Sequence, residues 1–278
     1  MTDSILSIQA ALKAGKLIPY LGADLHAGAD TPIPLTPTDL AGRLAAKSSV
    51  PFKVRSNMTA AAQYIENFKH RKTLVAILKE VFAPPVEPTP AHRFFAAQAN
   101  LPLLVDTWYD AAAQQAFAER SDWGQVQGVS RAEHRDIWVK YYRADASECA
   151  EAECAAWRTL IYRPIGSIFP AANFIVSDSD FVEVLTEIDI QSPIPPRVQA
   201  LRKDKQFLFL GCRFRNQLER SYARQVMKRS SDGPHWAVLD GELSKNELRF
   251  LEEQGIIRLD IPVAALLGEL AKDLPLAA

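Results

Sequence analysis

The chain has 278 residues, of which 48% are hydrophobic and 23% are charged, and this ordinary globular composition excludes a disordered chain. Its formal net charge of −1 gives no basic excess for binding a phosphate backbone, which disfavours nucleic acid as a partner. The three cysteines, Cys149, Cys154 and Cys212, are neither an even set for disulfides nor a four-ligand zinc motif, and we predict no metal site.

The first part of the chain predicts two buried strands separated by several helices. An apolar run over 17–21 ends at Gly22, which is typical of a buried strand entering a tight turn. A glycine at that place lets backbone N–H groups approach a phosphate, and a helix beginning soon afterwards would direct its positive end at the phosphate. Periodicity and capping residues predict helices over 4–14, 36–46, 58–68, 70–82 and 89–97, followed by the second strand, 101–106.

The second part alternates strands and helices after a less regular segment, 118–157. Within that segment only 137–142 has the pattern of a strand. The later predicted strands are 159–162, 174–176, 207–210, 236–239 and 256–259, and helices follow Ser177, Arg215, Ser244 and Val263. We therefore predict one domain over 1–278 of the α/β class: a Rossmann-like parallel sheet with helices on both faces, extra helices after the first strand, and a small irregular or helical excursion near 118–157.

Three predicted strands end at the residues that an open parallel sheet uses for ligands. The strand ends carry Gly22, Asp106-Thr107 and Gly211. Because the carboxyl ends of parallel strands meet at one edge of a sheet, we expect these three turns to surround a single cleft.

Five segments carry more specific motifs: 17–26 (LIPYLGADLH), 104–110 (LVDTWYD), 162–170 (YRPIGSIFP), 176–181 (VSDSDF) and 207–216 (FLFLGCRFRN). Their order and spacing, over roughly 17–259, resemble those of SIR2-like domains, the sirtuin-related NAD-binding family. The resemblance implies a pocket that descends from an NAD or ADP-ribose site.

The first motif departs from the family pattern, which is Gly-Ala-Gly followed one residue later by serine. Gly22 and Ala23 match, whereas Asp24 replaces the second glycine and His26 replaces the serine. Asp24 is either a ribose or metal contact, or a buried or capping acid that fills a vacated site. A carboxylate there would repel a diphosphate.

The next two motifs have lost the groups that the family uses for chemistry. Trp108 stands where the second motif has asparagine, and an indole offers one donor and no acceptor, so we expect it to pack or stack. Ile165 precedes Gly166-Ser167 where the family has its histidine base, and isoleucine cannot accept a proton. His26 is the candidate replacement for that base.

The fourth motif keeps Gly211 but has Arg213 and Asn216 in place of serine and aspartate. Arg213 could bind a phosphate through its planar donors, or it could pair with Asp24 across the strand ends. The sequence leaves both alternatives open.

The resemblance thus implies a nucleotide pocket without an intact catalytic set, in which only His26 and Asp110 remain as catalytic candidates. The expected ligand is NAD or ADP-ribose. Its expected contacts are Gly22, Ala23, Asp24, His26, Thr107, Trp108, Asp110, Gly166, Ser167, Gly211 and Arg213.

The favoured function is a binding or regulatory module without deacylase or NAD-cleaving activity, acting with a protein partner or as a homo-oligomer. The alternatives are an active NAD-consuming hydrolase of the defence-effector type with rebuilt residues, and an assembly module with a sealed pocket. No apolar run is long enough to span a membrane and no secretory leader pattern occurs, so we predict a cytoplasmic protein.

Overall fold

The computed structural model describes residues 2–27, 29–187 and 193–272. Its strands are β1 (Leu17–Leu21), β2 (Leu103–Asp106), β3 (Trp123–Gly128), β4 (Val139–Arg143), β5 (Glu148–Cys149), β6 (Thr159–Arg163), β7 (Gly166–Ser167), β8 (Asn173–Phe174), β9 (Gln206–Leu210), β10 (His235–Val238) and β11 (Ile256–Leu259). Its α-helices are α1 (Thr2–Lys13), α2 (Pro37–Lys47), α3 (Met58–Lys69), α4 (Arg71–Phe82), α5 (Pro90–Ala96), α6 (Ala112–Ala116), α7 (Asp178–Glu187), α8 (Pro196–Arg202), α9 (Gln217–Met227), α10 (Lys245–Glu253) and α11 (Val263–Ala271).

A mostly parallel central sheet organises the molecule. Across the described ranges nine strands join it in the order β11-β10-β9-β1-β2-β6-β3-β4-β5. Every neighbouring pair from β11 to β3 is parallel, whereas the β3–β4 and β4–β5 pairs are antiparallel, so β4 runs against the other strands. The strand order reverses at β1, because β2 lies on one side of it and β9 on the other. The predicted α/β, Rossmann-like sheet is confirmed.

The sheet is buried on both faces, as a parallel sheet with crossover helices requires. Successive residues of β1 alternate between the two faces: Ile18 and Tyr20 pack into one hydrophobic core, and Leu17 and Leu21 pack into the other. The first core also contains residues from α2, α3, α4, α7 and α9, whereas the second contains residues from α1, α5 and α11. Helices therefore cover both faces, as predicted.

The helices begin where the capping residues indicate. The Thr36 side chain accepts a hydrogen bond from Asp39 N–H at the start of α2, with proline in the first helical position. Ser244 and Glu247 form a reciprocal capping box at the start of α10. No helix among the described residues has the length and apolar character needed to cross a membrane.

The segment 118–157 is more regular than its sequence indicates, since it supplies β3, β4 and β5 to the edge of the main sheet. Strand β3 has no apolar run because Gln125 and Gln127 are buried polar residues, and both donate to the Phe169 carbonyl oxygen. Gly124 leaves room for the Trp157 indole. The division of the chain into one domain with an insertion stays a prediction.

Candidate ligand-binding cleft

A cleft of about 510 Å³ opens at the carboxyl ends of β9, β1 and β2. Gly22, Thr107 and Gly211 all line it, as predicted from the three strand ends. The first residues of α2, α3, α7 and α9 form its outer wall. The cleft therefore lies where the strand order reverses, which is the usual ligand position in open α/β sheets.

The turns after β1 and β9 bind each other rather than leaving their N–H groups to a ligand. Gly22 N–H donates to the Leu210 carbonyl oxygen at 2.9 Å, and Asp24 N–H donates to the Gly211 carbonyl oxygen at 3.0 Å. A Cβ at position 22 would overlap the Gly211 carbonyl and come within 2.9 Å of Cys212 Sγ. Gly22 is thus required by the contact between two turns, and the N–H groups of Gly22 and Asp24 are already bound to carbonyl oxygens.

Gly211 is constrained in the same way. Its φ of +63° is in the left-handed region, and a Cβ there would overlap the Leu25 backbone nitrogen. The residues directly after Gly22 form a single 3₁₀ turn, Ala23–His26, and the predicted helix over 36–46 follows later as α2. Such a short turn has little helix dipole to offer an anion.

Asp24 lines the cleft and has no partner among the described residues, either as an ion pair or as a side-chain hydrogen bond. Of the two alternatives left open for Arg213, the pair with Asp24 is not formed. The Arg213 guanidinium instead donates to the carbonyl oxygens of Asp240 and Glu242, each at 2.9 Å, and its Nε lies 3.5 Å from Glu247 Oε1. The donors of Arg213 are therefore bound to the loop before α10. Asp24 is neither a capping acid nor half of an ion pair.

Three further charged residues line the cleft and were not among the predicted site residues: Asp178, Arg215 and Glu219. Glu219 forms a capping box with Asn216 at the start of α9, and its Oε2 also accepts from Arg215 N–H at 2.9 Å. Burial, with a smaller contribution from the charge of Asp24, outweighs the hydrogen bonds from Asn216 and Arg215 N–H and raises the pKa of the Glu219 carboxyl to about 7. The Asn-x-x-Glu spacing could have indicated the cap, but not that this carboxyl faces a cleft.

Arg215 is exposed on the cleft wall, and its guanidinium has no ion-pair partner among the described residues. Its positive charge acts from a distance to lower the pKa values of the Asp24 and Glu219 carboxyls. Burial raises the pKa of Asp24, and the charges of Arg215 and Arg213 partly oppose that rise. Among the described residues, the cleft lining thus contains the carboxyl groups of Asp24, Asp178 and Glu219 and one uncommitted cation, Arg215.

Trp108 and Ile165 also line the cleft, in the places where the family carries asparagine and histidine. The Trp108 indole is only 3% exposed, donates from Nε1 to the Pro34 carbonyl oxygen at 2.9 Å and packs edge-on against Phe82. It packs, as its chemistry predicts, and its single donor is not free for a ligand. Ile165 presents an apolar side chain at the position of the missing base.

His26 and Asp110 do not line the cleft but form a buried pair beneath it, with Nε2 and Oδ2 3.3 Å apart. Burial lowers the pKa of His26, but the Asp110 carboxylate outweighs burial and raises it above its ordinary value. Burial likewise raises the pKa of Asp110, and contact with His26 overcomes this and lowers it to about 2. The two residues stabilise one another as a charged pair, and neither reaches the open volume.

A fully buried arginine, Arg163, holds the loop that follows β2. It pairs with Asp106 and donates to the carbonyl oxygens of Trp108 and Asp110, each at 2.6 Å. It also donates to Ser167 Oγ at 3.1 Å. Ser167 therefore supports the floor of the cleft instead of contacting its contents, and Arg163 gives no signal in the sequence that it is buried.

The sequence-predicted site residues thus separate into two groups. Those that line the cleft are Gly22, Ala23, Asp24, Thr107, Trp108, Gly211 and Arg213. Those that lie outside its lining are His26, Asp110, Gly166 and Ser167. Gly166 has φ +82° and is pressed against the Asn173 carbonyl, so its role is in the β7–β8 hairpin. Among the described residues no group of three or more His, Cys, Asp or Glu side chains could hold a metal ion.

The sheet, its crossover helices and the cleft at the strand-order reversal define an α/β protein of the Rossmann-like class. A family model described as SIR2-like domain matches residues 102–258, more than half of the chain, and the chain belongs to this family. The matched span includes Thr107, Ile165 and Gly211, whereas Gly22 lies before it. A comparison with curated proteins finds no match.

Proposed function

We propose that the cleft binds a nucleotide of the NAD or ADP-ribose type and that the protein acts as a binding or regulatory module, without deacylase or NAD-cleaving activity. The observation that carries this proposal is that the cleft is open but that two of its lining residues cannot take part in acid–base chemistry. Trp108 and Ile165 stand where acid–base chemistry would need an amide and an imidazole.

The residues present fit a nucleotide, with a different phosphate position from the one expected. Proteins of the SIR2-like family generally bind NAD, and a volume of about 510 Å³ is within the roughly 300–1,000 Å³ typical of small-molecule sites. The N–H groups of Gly22 and Asp24 are committed to β9, so they would not hold a diphosphate. Arg215 is the cation that remains available for it.

The absence of a positioned base supports binding over catalysis. The imidazole of His26 is paired with Asp110 outside the cleft. Burial, together with the charges of Glu219 and Asp24, raises the pKa of the Cys212 thiol well above its ordinary value, so this cleft residue is not a thiolate nucleophile.

A second candidate function, an NAD-consuming hydrolase, is favoured by one observation. Asp24 and Glu219 place two carboxyl groups in the cleft, and burial raises the pKa of both. Carboxyls with raised pKa values are a common basis for acid–base catalysis. The third alternative, a sealed assembly module, is opposed by the open volume of the cleft.

Thermal melts and a nicotinamide-release assay separate these functions. We expect ADP-ribose and NAD to raise the melting temperature, because a ligand at 100 times its Kd stabilises the folded state by about 2.7 kcal/mol. We expect nicotinamide release at the background rate. Release that is lost in Glu219→Gln or Asp24→Asn would establish the hydrolase instead. No thermal shift and no release would contradict both functions.

A further inference from the structure

We propose that Asp24 and Glu219 form a sugar-hydroxyl site in the cleft and that Arg215 forms the adjoining phosphate site, so that the cleft selects a ribose phosphate over a bare phosphate. This inference rests on the proposed nucleotide-binding function and names the side chains that would give it specificity.

The first observation is the isolation of Asp24. Its carboxylate is half-buried in the cleft wall and accepts no hydrogen bond from any described residue. Charged groups that leave bulk water are normally paired or hydrogen-bonded, because their desolvation is otherwise uncompensated. A ligand that donates hydrogen bonds would supply the missing partners.

The second observation is the spare acceptor capacity of Glu219. Its Oε2 accepts from the N–H groups of Arg215 and Asn216, at 2.9 and 3.5 Å, whereas Oε1 has no hydrogen bond from the described residues. Asp24 lies against the turn that leads into α9, since its N–H donates to the Gly211 carbonyl oxygen at 3.0 Å. Its charge raises the pKa of Glu219, and the charges of both carboxyls raise the pKa of the Cys212 thiol in the same cleft lining. The two side chains therefore present several free acceptor oxygens to one region of the cleft.

Free acceptors next to each other determine which ligand group fits. A metal ion is not supported, since no described group of three or more potential ligands occurs. A phosphate would be repelled by the two carboxyls. Vicinal hydroxyls donate hydrogen bonds and carry no charge, and hydrogen bonds to a carboxylate are about twice as strong as those between neutral groups. A ribose is the nucleotide moiety with this chemistry.

The phosphate then belongs at Arg215. Its guanidinium is uncommitted, always charged and shaped for two parallel hydrogen bonds to phosphate oxygens. Arg213 cannot serve in its place, because its donors are bound to the loop before α10. Arg215 lies four residues before Glu219, so the phosphate and hydroxyl positions adjoin at the start of α9.

Calorimetric titration with two probes tests the assignment. ADP-ribose carries both riboses and a diphosphate, and inorganic pyrophosphate carries the diphosphate alone. We expect Asp24→Asn to weaken ADP-ribose binding by about 5- to 10-fold, as the loss of charge-assisted hydrogen bonds predicts, and to leave pyrophosphate binding unchanged or tighter. Glu219→Gln keeps the helix cap. Like Asp24→Asn, it should weaken ADP-ribose binding and leave pyrophosphate binding unchanged or tighter.

Arg215→Gln should weaken the binding of both probes by about tenfold. The control is Glu252→Gln, which removes an exposed carboxylate outside the cleft and should change the binding of neither probe. Equal changes for the two probes in Asp24→Asn and Glu219→Gln, or no change, would overturn the hydroxyl site while the proposed function stands. Failure of wild-type protein to bind ADP-ribose would overturn the proposed function and this inference together.

Discussion

His26 and Asp110 illustrate at residue scale how a candidate catalytic pair becomes a structural one. Both side chains are about 3% exposed, and each holds the other in its charged form. His26 thereby stabilises the fold below its unfolded pKa, and this contribution is lost as the pH rises through its higher folded pKa. Asp110 stabilises the fold above its unfolded pKa, and its contribution is lost as the pH falls through about 2.

Asp110→Asn should therefore destabilise the fold by about 3–5 kcal/mol at neutral pH, because it leaves a buried imidazole without its counter-charge. Urea unfolding monitored by circular dichroism measures this loss. Asp122→Asn is the control, since the Asp122 carboxylate is 41% exposed and its ion pairs should contribute at most about 1 kcal/mol. Equal losses in the two variants would show that the His26–Asp110 pair is not special.

The ionised carboxyl of Glu219 lowers the stability of the fold, whereas the His26–Asp110 pair raises it. Burial raises its folded pKa to about 7 from 4.5, so the folded state keeps a proton that the unfolded state has released. Stability should fall as the pH rises between those two values and stay reduced above them. Glu219→Gln should match wild type near pH 4.5 and exceed it by roughly 1 kcal/mol at pH 8, discounted for partial exposure. If wild type and Glu219→Gln differed by the same unfolding free energy at both pH values, the result would contradict the burial of this carboxyl.

The residue scale is also where the sequence was least informative. The loss of chemistry at Trp108 and Ile165 could be predicted, because it follows from what an indole and an isoleucine can bind. The partner of Arg213 could not, because the carbonyl groups that hold it come from a loop 27 and 29 residues away. Arg163 was missed because an arginine in sequence carries no sign of being fully buried.

At the scale of elements, strands with apolar runs were predicted and strands with buried polar residues were not. β1 and β9 are continuous apolar segments that lie in the centre of a sheet, so their sequences match their burial. β3 reads WGQVQG, and its two buried glutamines donate to the Phe169 carbonyl and accept from the Gln114 and Asn173 amides. Partners that distant in the chain leave no local pattern.

The turn after β9 yields a prediction at this scale. Gly211→Ala should destabilise the protein by at least about 2 kcal/mol, because it combines a left-handed backbone with an overlap at Leu25. Gly42→Ala is the matched control: Gly42 lies within α2, an added Cβ would meet nothing within 4 Å, and the change should stabilise by about 0.5–1 kcal/mol. Thermal denaturation of both variants checks the sign as well as the size.

For the molecule as a whole, β1, the strand at which the strand order reverses, lies outside the span that the family model matches. β1 pairs with β9 over five residues on one side and with β2 on the other, and the matched span begins at residue 102. A fragment of residues 102–258 would leave both of those strands with an unpaired edge and expose apolar residues from both cores. We expect it to show no cooperative unfolding transition, whereas residues 2–272 unfold cooperatively. A cooperative transition in the fragment would contradict a sheet organised around β1.

The order of strands and crossovers could be anticipated across most of the chain, because alternating strands and helices permit few topologies. What the alternation does not determine is the strand at which the order reverses. That follows from the pairing of β1 with β9, which come from residues 17–21 and 206–210.

The contact between Gly22 and Gly211 also bears on natural selection and on motif searches. Any side chain at position 22 would overlap the neighbouring turn, and position 211 is equally restricted, whether or not a ligand is bound. Even in a lineage whose protein no longer binds nucleotides, replacing either glycine would disrupt the fold. Selection for folding alone would therefore preserve them, so a search keyed to these glycines finds chains that fold this way and carries no information about whether they retain a ligand.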